Sequence, residues 1–417
     1  MCERSNILSV LRTLMLLATA VVEILLASLV MLPLVIYRLR VKKWNQINLE
    51  YPTDSHNSEL VIILPIWNEA VVIDKKLDDL NREYPVKTSL LVVDSASTDG
   101  SIDLVRKWLN VNHEVFSTSN VLTMPERLGK TSAVKLAIEY LTNQSFNGLV
   151  LMTDADALIG TSAVDRMHGW FSNPTIGAVG CSADRKTTLH GEHDYREMYE
   201  LLRSGESKID STPFLEGSCM MWRHGSFNPA DLNTDCNADD AQIASLIRIG
   251  GLRSIFDSEA SFTDFAPTTL DGQRRQKIRR AQGLQNMLSR FRKQQIIPSD
   301  GEFSKIFKTQ YFLHLTAPII LFQLAVCAII RWSYVTVVGM PFGYEAIIHA
   351  TLALFELLVL VSWLTFRNGI KLPMLATIGA ITTGFEYLFI ANYRNSRGIL
   401  SNKWEQHRDV RELINKF

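Results

Sequence analysis

Two textures alternate along the chain. Near both ends apolar residues run on with little polar relief. Between about residue 55 and residue 300, short apolar runs alternate with amphipathic stretches. In that middle region "ELVIILPI" (59–66) reads as a buried strand, and "EAVVIDKKLDDLNREY" (69–84) has helical spacing. "SLLVVDS" (89–95) predicts a second strand and "TDGSIDLVRKWLN" (98–110) a second helix, with Ser97 or Asp99 as its cap. "GKTSAVKLAIEYL" (129–141) predicts a third helix, and "GLVLMTD" (148–154) and "IGAVGCSA" (176–183) further strands. Such βαβ alternation predicts an open, mostly parallel sheet covered by helices. Ligands of such sheets sit beyond the carboxyl ends of the strands. Asn68-Glu69, Asp94 and the pair Asp154/Asp156 all fall there.

The apolar ends are long enough for a bilayer. Ile7 to Tyr37 is interrupted only by Arg12 and Glu23, and it exceeds the roughly 20 residues a spanning helix needs. A signal peptide would carry a shorter apolar core of about 7–15 residues. The run therefore predicts a retained membrane helix, and Arg38, Arg40, Lys42 and Lys43 after it place the following domain in the cytoplasm. Three further spans are expected at Phe312–Trp332, Ala346–Phe366 and Leu372–Ala391, two of them carrying Glu356 and Glu386. These expectations conflict. Three crossings would carry the tail to the far side, yet its Arg394, Arg397, Lys403, Arg408, Arg411 and Lys416 favour the near side. The stretch from Arg290 to Lys308 is basic and is expected to lie on the bilayer surface. The domain plan is thus 7–37 membrane helix, 55–285 cytosolic domain, 286–311 interfacial segment, 312–391 membrane region and 392–417 charged tail, an integral protein of the cell membrane.

Composition adds exclusions. The 417 residues include 43 basic and 43 acidic side chains, a balance without the basic excess of a nucleic-acid binder. The five cysteines, Cys2, Cys181, Cys219, Cys236 and Cys327, form no C-x-x-C pair, which fits a reducing compartment rather than a disulfide framework or zinc knuckle. His190 and His193, with Glu192 and Asp194, crowd together but lack the H-E-x-x-H pattern, and they are set aside as metal ligands.

The chemistry concentrates in "GLVLMTDADAL" (148–158). Strand residues at i and i+2 share a face, so Asp154 and Asp156 repel each other at a sheet edge unless a cation lies near. Mg²⁺ or Mn²⁺ is typically held by one or two carboxylates plus phosphate oxygens, so D-x-D suits a metal-bound diphosphate. A capped turn with one solvated aspartate is the alternative.

Six segments in order, "LPIWNEA" (64–70), "VVDSASTDGS" (92–101), "RLGKTSAVKLAI" (127–138), "MTDADA" (152–157), "NADDAQIA" (237–244) and "QKIRRAQG" (276–283), resemble the inverting family 2 glycosyltransferases. The flanking apolar runs resemble that family's membrane-bound branch of hyaluronan, chitin and cellulose synthases and lipid-directed sugar transferases. The resemblance covers roughly residues 58–285 and implies a GT-A fold, a nucleotide-sugar-transferase form of the α/β sheet, flanked by transmembrane helices. It implies a nucleoside diphosphate sugar as donor, Mg²⁺ or Mn²⁺ as cofactor, and a lipid or glycan acceptor at the membrane.

It also implies roles. Pro65, Asn68 and Glu69 match the turn lining the nucleotide pocket, with Glu69 near ribose or base, although a surface glutamate opening a helix would read the same. Asp94 matches the aspartate that reads the base edge. Ser95 stands where a second aspartate is common, which leaves UDP and GDP both open. Lys130 matches a lysine near the diphosphate, where a helix N-terminus adds N–H donors. Asp156 matches the direct metal ligand, and Asp154 a partner of metal, ribose or sugar. Asp240, second of the pair Asp239-Asp240, matches the general base on the acceptor hydroxyl. Gln276 and Arg279 match Q-x-x-R-W of the processive synthases, and Arg279 could pair with the diphosphate. The tryptophan position holds Arg280, which tilts the reading toward single-sugar transfer over processive synthesis. Arg274, Arg275, Lys277, Arg279 and Arg280 together could attract an anionic headgroup or polyprenyl phosphate, or form a merely basic interfacial helix. Trp222, in "PFLEGSCMMWRHGSF" (213–227), could stack on a sugar or sit in the core. A non-catalytic nucleotide-binding scaffold would not need Asp94, Asp156 and Asp240 together. A nucleotidyltransferase would need neither the acceptor-side base nor "QKIRR".

Overall fold

The computed structural model describes residues 2–186, 192–339, 343–370, 372–399 and 408–416, and side chains from residue 13 onward apart from 192–195 and 408. His190, Lys403 and the side chains of Glu192, His193, Asp194 and Arg408 lie outside the described residues. A helix of 43 residues, α1 (Cys2–Trp44), opens the chain. The α/β domain follows as β1 (Leu60–Ile66), α2 (Ile73–Asp79), β2 (Thr88–Asp94), α3 (Ser101–Val111), β3 (Ser119–Thr123), α4 (Lys130–Asn143), β4 (Leu149–Thr153), β5 (Leu158–Ile159), α5 (Ala163–Gly169), β6 (Ile176–Lys186), α6 (Glu192–Ile209), β7 (Cys219–Arg223), α7 (Asp239–Ile249), β8 (Arg253–Phe265) and α8 (Leu270–Lys293). Then come α9 (Glu302–Tyr311), α10 (Ala317–Val338), α11 (Tyr344–Arg367), α12 (Ala376–Ser396) and α13 (Arg408–Lys416).

The sheet has eight strands in the order β3-β2-β1-β4-β7-β6-β8-β5. Strands β1 to β4 are parallel, with Ile66 opposite Asp94 and Ile63 opposite Met152. Their side chains alternate between two buried faces. Leu60, Ile62, Leu64 and Ile66 join one core, and Val61 and Ile63 the other. Both faces being covered explains why these strands read as continuous apolar runs. Burying each such side chain contributes about 1.5–3 kcal/mol.

The expectation of a mostly parallel sheet holds for this half and for the pairing of β6 with β8, which is also parallel, but not for the joins between them. Strand β7 runs antiparallel to β4 and β6, and β5 antiparallel to β8. Strands β3, β5, β7 and β8 are additions to the expected set. β3 is half-exposed at an edge, and β8 carries charges at Asp257, Glu259 and Asp264 that break its alternation.

Among the described residues, three helical stretches are long and apolar enough to cross a membrane: Thr13–Trp44, Glu302–Val338 and Tyr344–Arg367. The segment expected as a further span, Leu372–Ala391, forms most of α12, whose polar side chains tie it to the domain. Glu386 pairs with Arg274 of α8 at 3.0 Å, and Asn395 and Gln282 exchange hydrogen bonds at 3.2 and 3.3 Å. The basic segment expected on the bilayer surface also enters the core, since Phe291, Phe303 and Phe307 bury against the α4 and α7 side of the sheet. Between α9 and α10 a π-helical turn, Phe312–Thr316, releases carbonyls from the helical ladder. Gln285 and Asn392 donate to His314 O and Leu315 O at 2.9 and 3.0 Å and satisfy them.

Candidate functional site

The site forms where β1, β2 and β4 end side by side. Asn68 takes a left-handed φ of 53° after β1, and its Oδ1 accepts from Thr98 N at 2.7 Å. Glu69 N donates to Ser101 Oγ at 2.7 Å, and Ala70 N to Asp99 Oδ2 at 2.9 Å. These bonds zip the β1 turn to the β2 turn. Asp99 thus ties the two turns and also accepts from Ser101 N at 3.0 Å, but the N-cap of α3 is Gly100 and not, as expected, Ser97 or Asp99. Asp94, buried at the end of β2, accepts from Ser97 N at 3.1 and 3.2 Å through its two oxygens. Pro65 lies buried in β1 opposite Val93.

The D-x-D turn leaves β4 and is clamped from behind. Lys76 of α2 is fully buried, and its ammonium donates to Thr153 Oγ1 at 2.9 Å and Ala157 O at 2.5 Å while pairing with Asp79 at 3.1 Å. Those two acceptors bracket Asp154 and Asp156. Sequence reading placed Lys76 in a helix without a role, because a single lysine in an amphipathic stretch gives no sign of burial.

Lys130 joins the D-x-D to the pair Asp239-Asp240. Gly129, at φ 93°, turns the chain into α4, so Lys130 is its first residue. Its ammonium lies 2.7 Å from Asp154 Oδ1 and 3.6 Å from Asp239 Oδ2, and it donates to Gly217 O at 3.2 Å. Burial works against its charge, but Asp154 and Asp239 overcome this and hold its pKa above the usual lysine range. Gly217 is fitted to this place. A Cβ there would meet Lys130 Nζ at 3.0 Å and Asp240 Oδ2 at 3.3 Å.

Asp240 opens α7 and accepts from Gly217 N at 3.0 Å. Burial first, then the adjacent Asp239, pushes its pKa up to about 7. Burial also raises Asp156, with Arg411 opposing and Asp154 and Asp264 adding to the rise. Asp156 is half-buried beside these groups and is not among the residues that line the adjoining cavity.

A cavity of about 220 Å³ adjoins these groups. Lys130, Asp154, Gly217, Asp239 and Asp240 line one end, and Arg185, Arg196, Arg203, Lys277, Arg279 and Arg280 line its wall. Leu284, His314 and Leu388, from α8, the π-turn and α12, close the side toward the apolar helices. Glu216 lies among the arginines, and Arg203 Nη1 pairs with it at 2.7 Å. Burial opposes its charge, but Arg203, Arg196 and Arg280 hold its carboxyl well below the usual range.

Asp154, Asp240, Lys130 and Arg279 therefore meet in one cavity. Gln276 stands half-buried on α8 and is not among the lining residues. Trp222 is fully buried in β7, a core residue. Glu69, 1% exposed, is occupied by Arg411 of α13 in a bidentate pair at 2.8 and 2.6 Å. Burial pushes the Glu69 carboxyl up to about 7 against that pairing. Arg196, Arg203 and Arg411 are site residues that the sequence reading missed. The first two sit in a polar helix with no motif, and the third lies more than 300 residues from its partner.

The sheet and its helices have the GT-A type of fold, and Asp154 of the D-x-D meets Asp239 and Asp240 in the cavity. The glycosyl transferase family 2 model matches residues 61–228 of this chain. The mannosyltransferase PcManGT from Pyrobaculum calidifontis, solved with GDP-Man and Mn²⁺, superposes with a TM-score of 0.70 at 25% identity over 90% of this chain and 99% of that one. Poly-beta-1,6-N-acetyl-D-glucosamine synthase of Staphylococcus aureus (strain COL) is 21% identical over 238 residues, 55% of this chain and 56% of that protein. The chain thus spans about half the length of the curated relatives it matches.

Proposed function

We propose that the protein transfers a sugar from a nucleoside diphosphate sugar to an acceptor carried at the membrane, inverting the anomeric centre in one displacement. The observation that carries this is the position of Asp240. Its carboxylate shares a cavity with Asp154 and Lys130, and its raised pKa suits a base that works near neutral pH. In this reading Asp240 takes the proton of the acceptor hydroxyl as the new bond forms. Lys130, between Asp154 and Asp239, offers fixed positive charge to the departing diphosphate. Asp94 and the zipped turns shape the base end of the donor site.

The residues suit a divalent ion that arrives with the donor. Among the described residues no three potential ligands cluster; Asp156 and Asp154 would hold the ion, and diphosphate oxygens would complete the shell. When bound, Mg²⁺ or Mn²⁺ neutralises charge on the leaving nucleoside diphosphate. The relative solved with GDP-Man and Mn²⁺ puts GDP-mannose first among donors to try, with UDP-sugars next.

The acceptor reading is a lipid-linked phosphate or glycan. A cationic wall of Arg185, Arg196, Arg203, Arg279 and Arg280 faces the cavity, and Leu284, His314 and Leu388 of α8, the π-turn and α12 close another side. Guanidinium groups match phosphate geometry, and the two leucines suit the start of the tail that follows. The curated synthase relative favours a second reading, processive synthesis. Arg280 in place of tryptophan, and three candidate spans, favour single transfer. The test is protein in detergent with Mn²⁺, a panel of GDP- and UDP-sugars, and mass spectrometry of the lipid fraction. One added sugar per lipid supports single transfer, and a ladder supports the synthase. No turnover of any donor by folded protein would sink both.

A further inference from the structure

The last helix of the chain returns to its first strand. Val410 and Ile414 of α13 bury in the core behind β1 and β2. Lys75 Nζ donates to Ile414 O at 2.6 Å, and Asn415 Nδ2 to Val71 O at 2.6 Å. Asp409 accepts from both N and Oγ1 of Thr268 at 2.7 Å. Between these anchors Arg411 reaches the turn after β1, with its Nε 2.8 Å from Glu69 Oε2 and its Nη2 2.6 Å from Oε1. Both side chains are buried.

The anchors already hold the helix, and a buried ion pair adds little net stability, because desolvation offsets much of the attraction. What the pair does is place charge. A guanidinium keeps its proton, and here it sits in the field of Asp156 and Asp154 as well as Glu69. Its fork also fixes the Glu69 rotamer. The D-x-D is thereby bracketed by two cations, Lys130 on the cavity side and Arg411 on the β1 side.

We propose that Arg411 is a donor-positioning residue. Through Glu69 it sets the affinity for the nucleoside diphosphate, and α13 is a wall of the donor site. The inference rests on the donor reading above.

The test is titration of full-length protein in detergent with GDP and with UDP, in Mn²⁺, alongside the thermal midpoint. Arg411→Ala and Glu69→Gln are each expected to raise Kd about tenfold or more. The double variant is expected to be no weaker than the worse single one, since one unit is broken either way. Arg411→Lys, which keeps the charge but lacks the fork, should recover part of the loss. Arg331→Met, which breaks an ion cluster in α10 remote from Glu69, should lower the midpoint and leave Kd unchanged. If Arg411→Ala does not fold, Glu69→Gln carries the same expectation. Wild-type Kd in folded Arg411→Ala or Glu69→Gln, or losses that add in the double, would overturn the inference while leaving the donor reading standing. A wild-type protein that binds neither nucleotide would overturn both.

Discussion

At the residue scale the site is a set of charges held out of water by one another. Asp240 shows the consequence most directly. Its carboxyl, raised from 3.8 to about 7, binds its proton more tightly in the folded protein than in the unfolded chain. Its contribution to stability is therefore full below about pH 4 and is lost as pH rises toward 7. As a base it must be deprotonated, so kcat/KM should rise from pH 6 to pH 8 with a midpoint near 7. Asp240→Asn should lower the rate by about 10²–10⁴-fold and leave donor binding in place. The same variant should melt higher than wild type, by a margin that widens from pH 5 to pH 8. Retained activity, or a margin that narrows with pH, would remove Asp240 from this role. Asp156→Asn should abolish the dependence of donor Kd on Mn²⁺ concentration. Lys76→Met tests the clamp. It leaves Thr153 and Ala157 without their shared donor, and it should cost about 3 kcal/mol of stability in a denaturant titration.

At the element scale, α8 crosses close over the start of α7. A Cβ on Gly283 would meet Asn237 Oδ1 at 2.0 Å and Ala238 N at 3.2 Å. Gly283→Ala should therefore displace the segment that presents Asp239 and Asp240. The expected result is a slower rate with a stability loss of about 1–3 kcal/mol, read by parallel activity and melting assays. A second junction fastens α1 to the domain. Tyr37 donates to the fully buried Glu206, which also accepts from Gln310 at 2.6 Å and Thr212 at 2.7 Å. A third lies among the apolar helices. Arg331 of α10 forks to Glu23 of α1 at 3.0 and 3.1 Å and to Glu356 of α11 at 2.6 and 2.7 Å. Removing one partner of such a set leaves like charges facing each other. Arg331→Met should lower the thermal midpoint in nanodiscs, and adding Glu23→Gln with Glu356→Gln should restore most of it.

At the scale of the whole molecule, the route of the chain decides the topology. The chain leaves the domain at α9 and is docked on it again at α13, beside β1. A path that returned to one face would make an even number of crossings, and α10 and α11 are long and apolar enough to supply them, while α12 bonds to α8 and to α11. On a Cys327→Ser background, an impermeant maleimide should label Lys107→Cys and Ser396→Cys from one face of sealed vesicles and Val337→Cys from the other. Labelling of Ser396→Cys together with Val337→Cys would refute this path.

Much was legible beforehand, for local reasons. The strands β1, β2 and β4 are short apolar runs that end in polar turns, so their order and the carboxylates at their tips follow from neighbouring residues alone. Strands β3 and β8 were hidden because exposure and interleaved charge blur a period of two.

The sequence by itself determined the α/β alternation, the apolar flanks and the presence of D-x-D, Lys130 and Asp239-Asp240, since each is carried by side chains within a few residues of one another. Only the tertiary structure decided that α12 lies against the domain, that Lys76 backs the D-x-D, and that Arg411 closes on Glu69. These are pairings across long chain separations, and a buried charge is recognised by the partner that surrounds it, which no stretch of sequence contains.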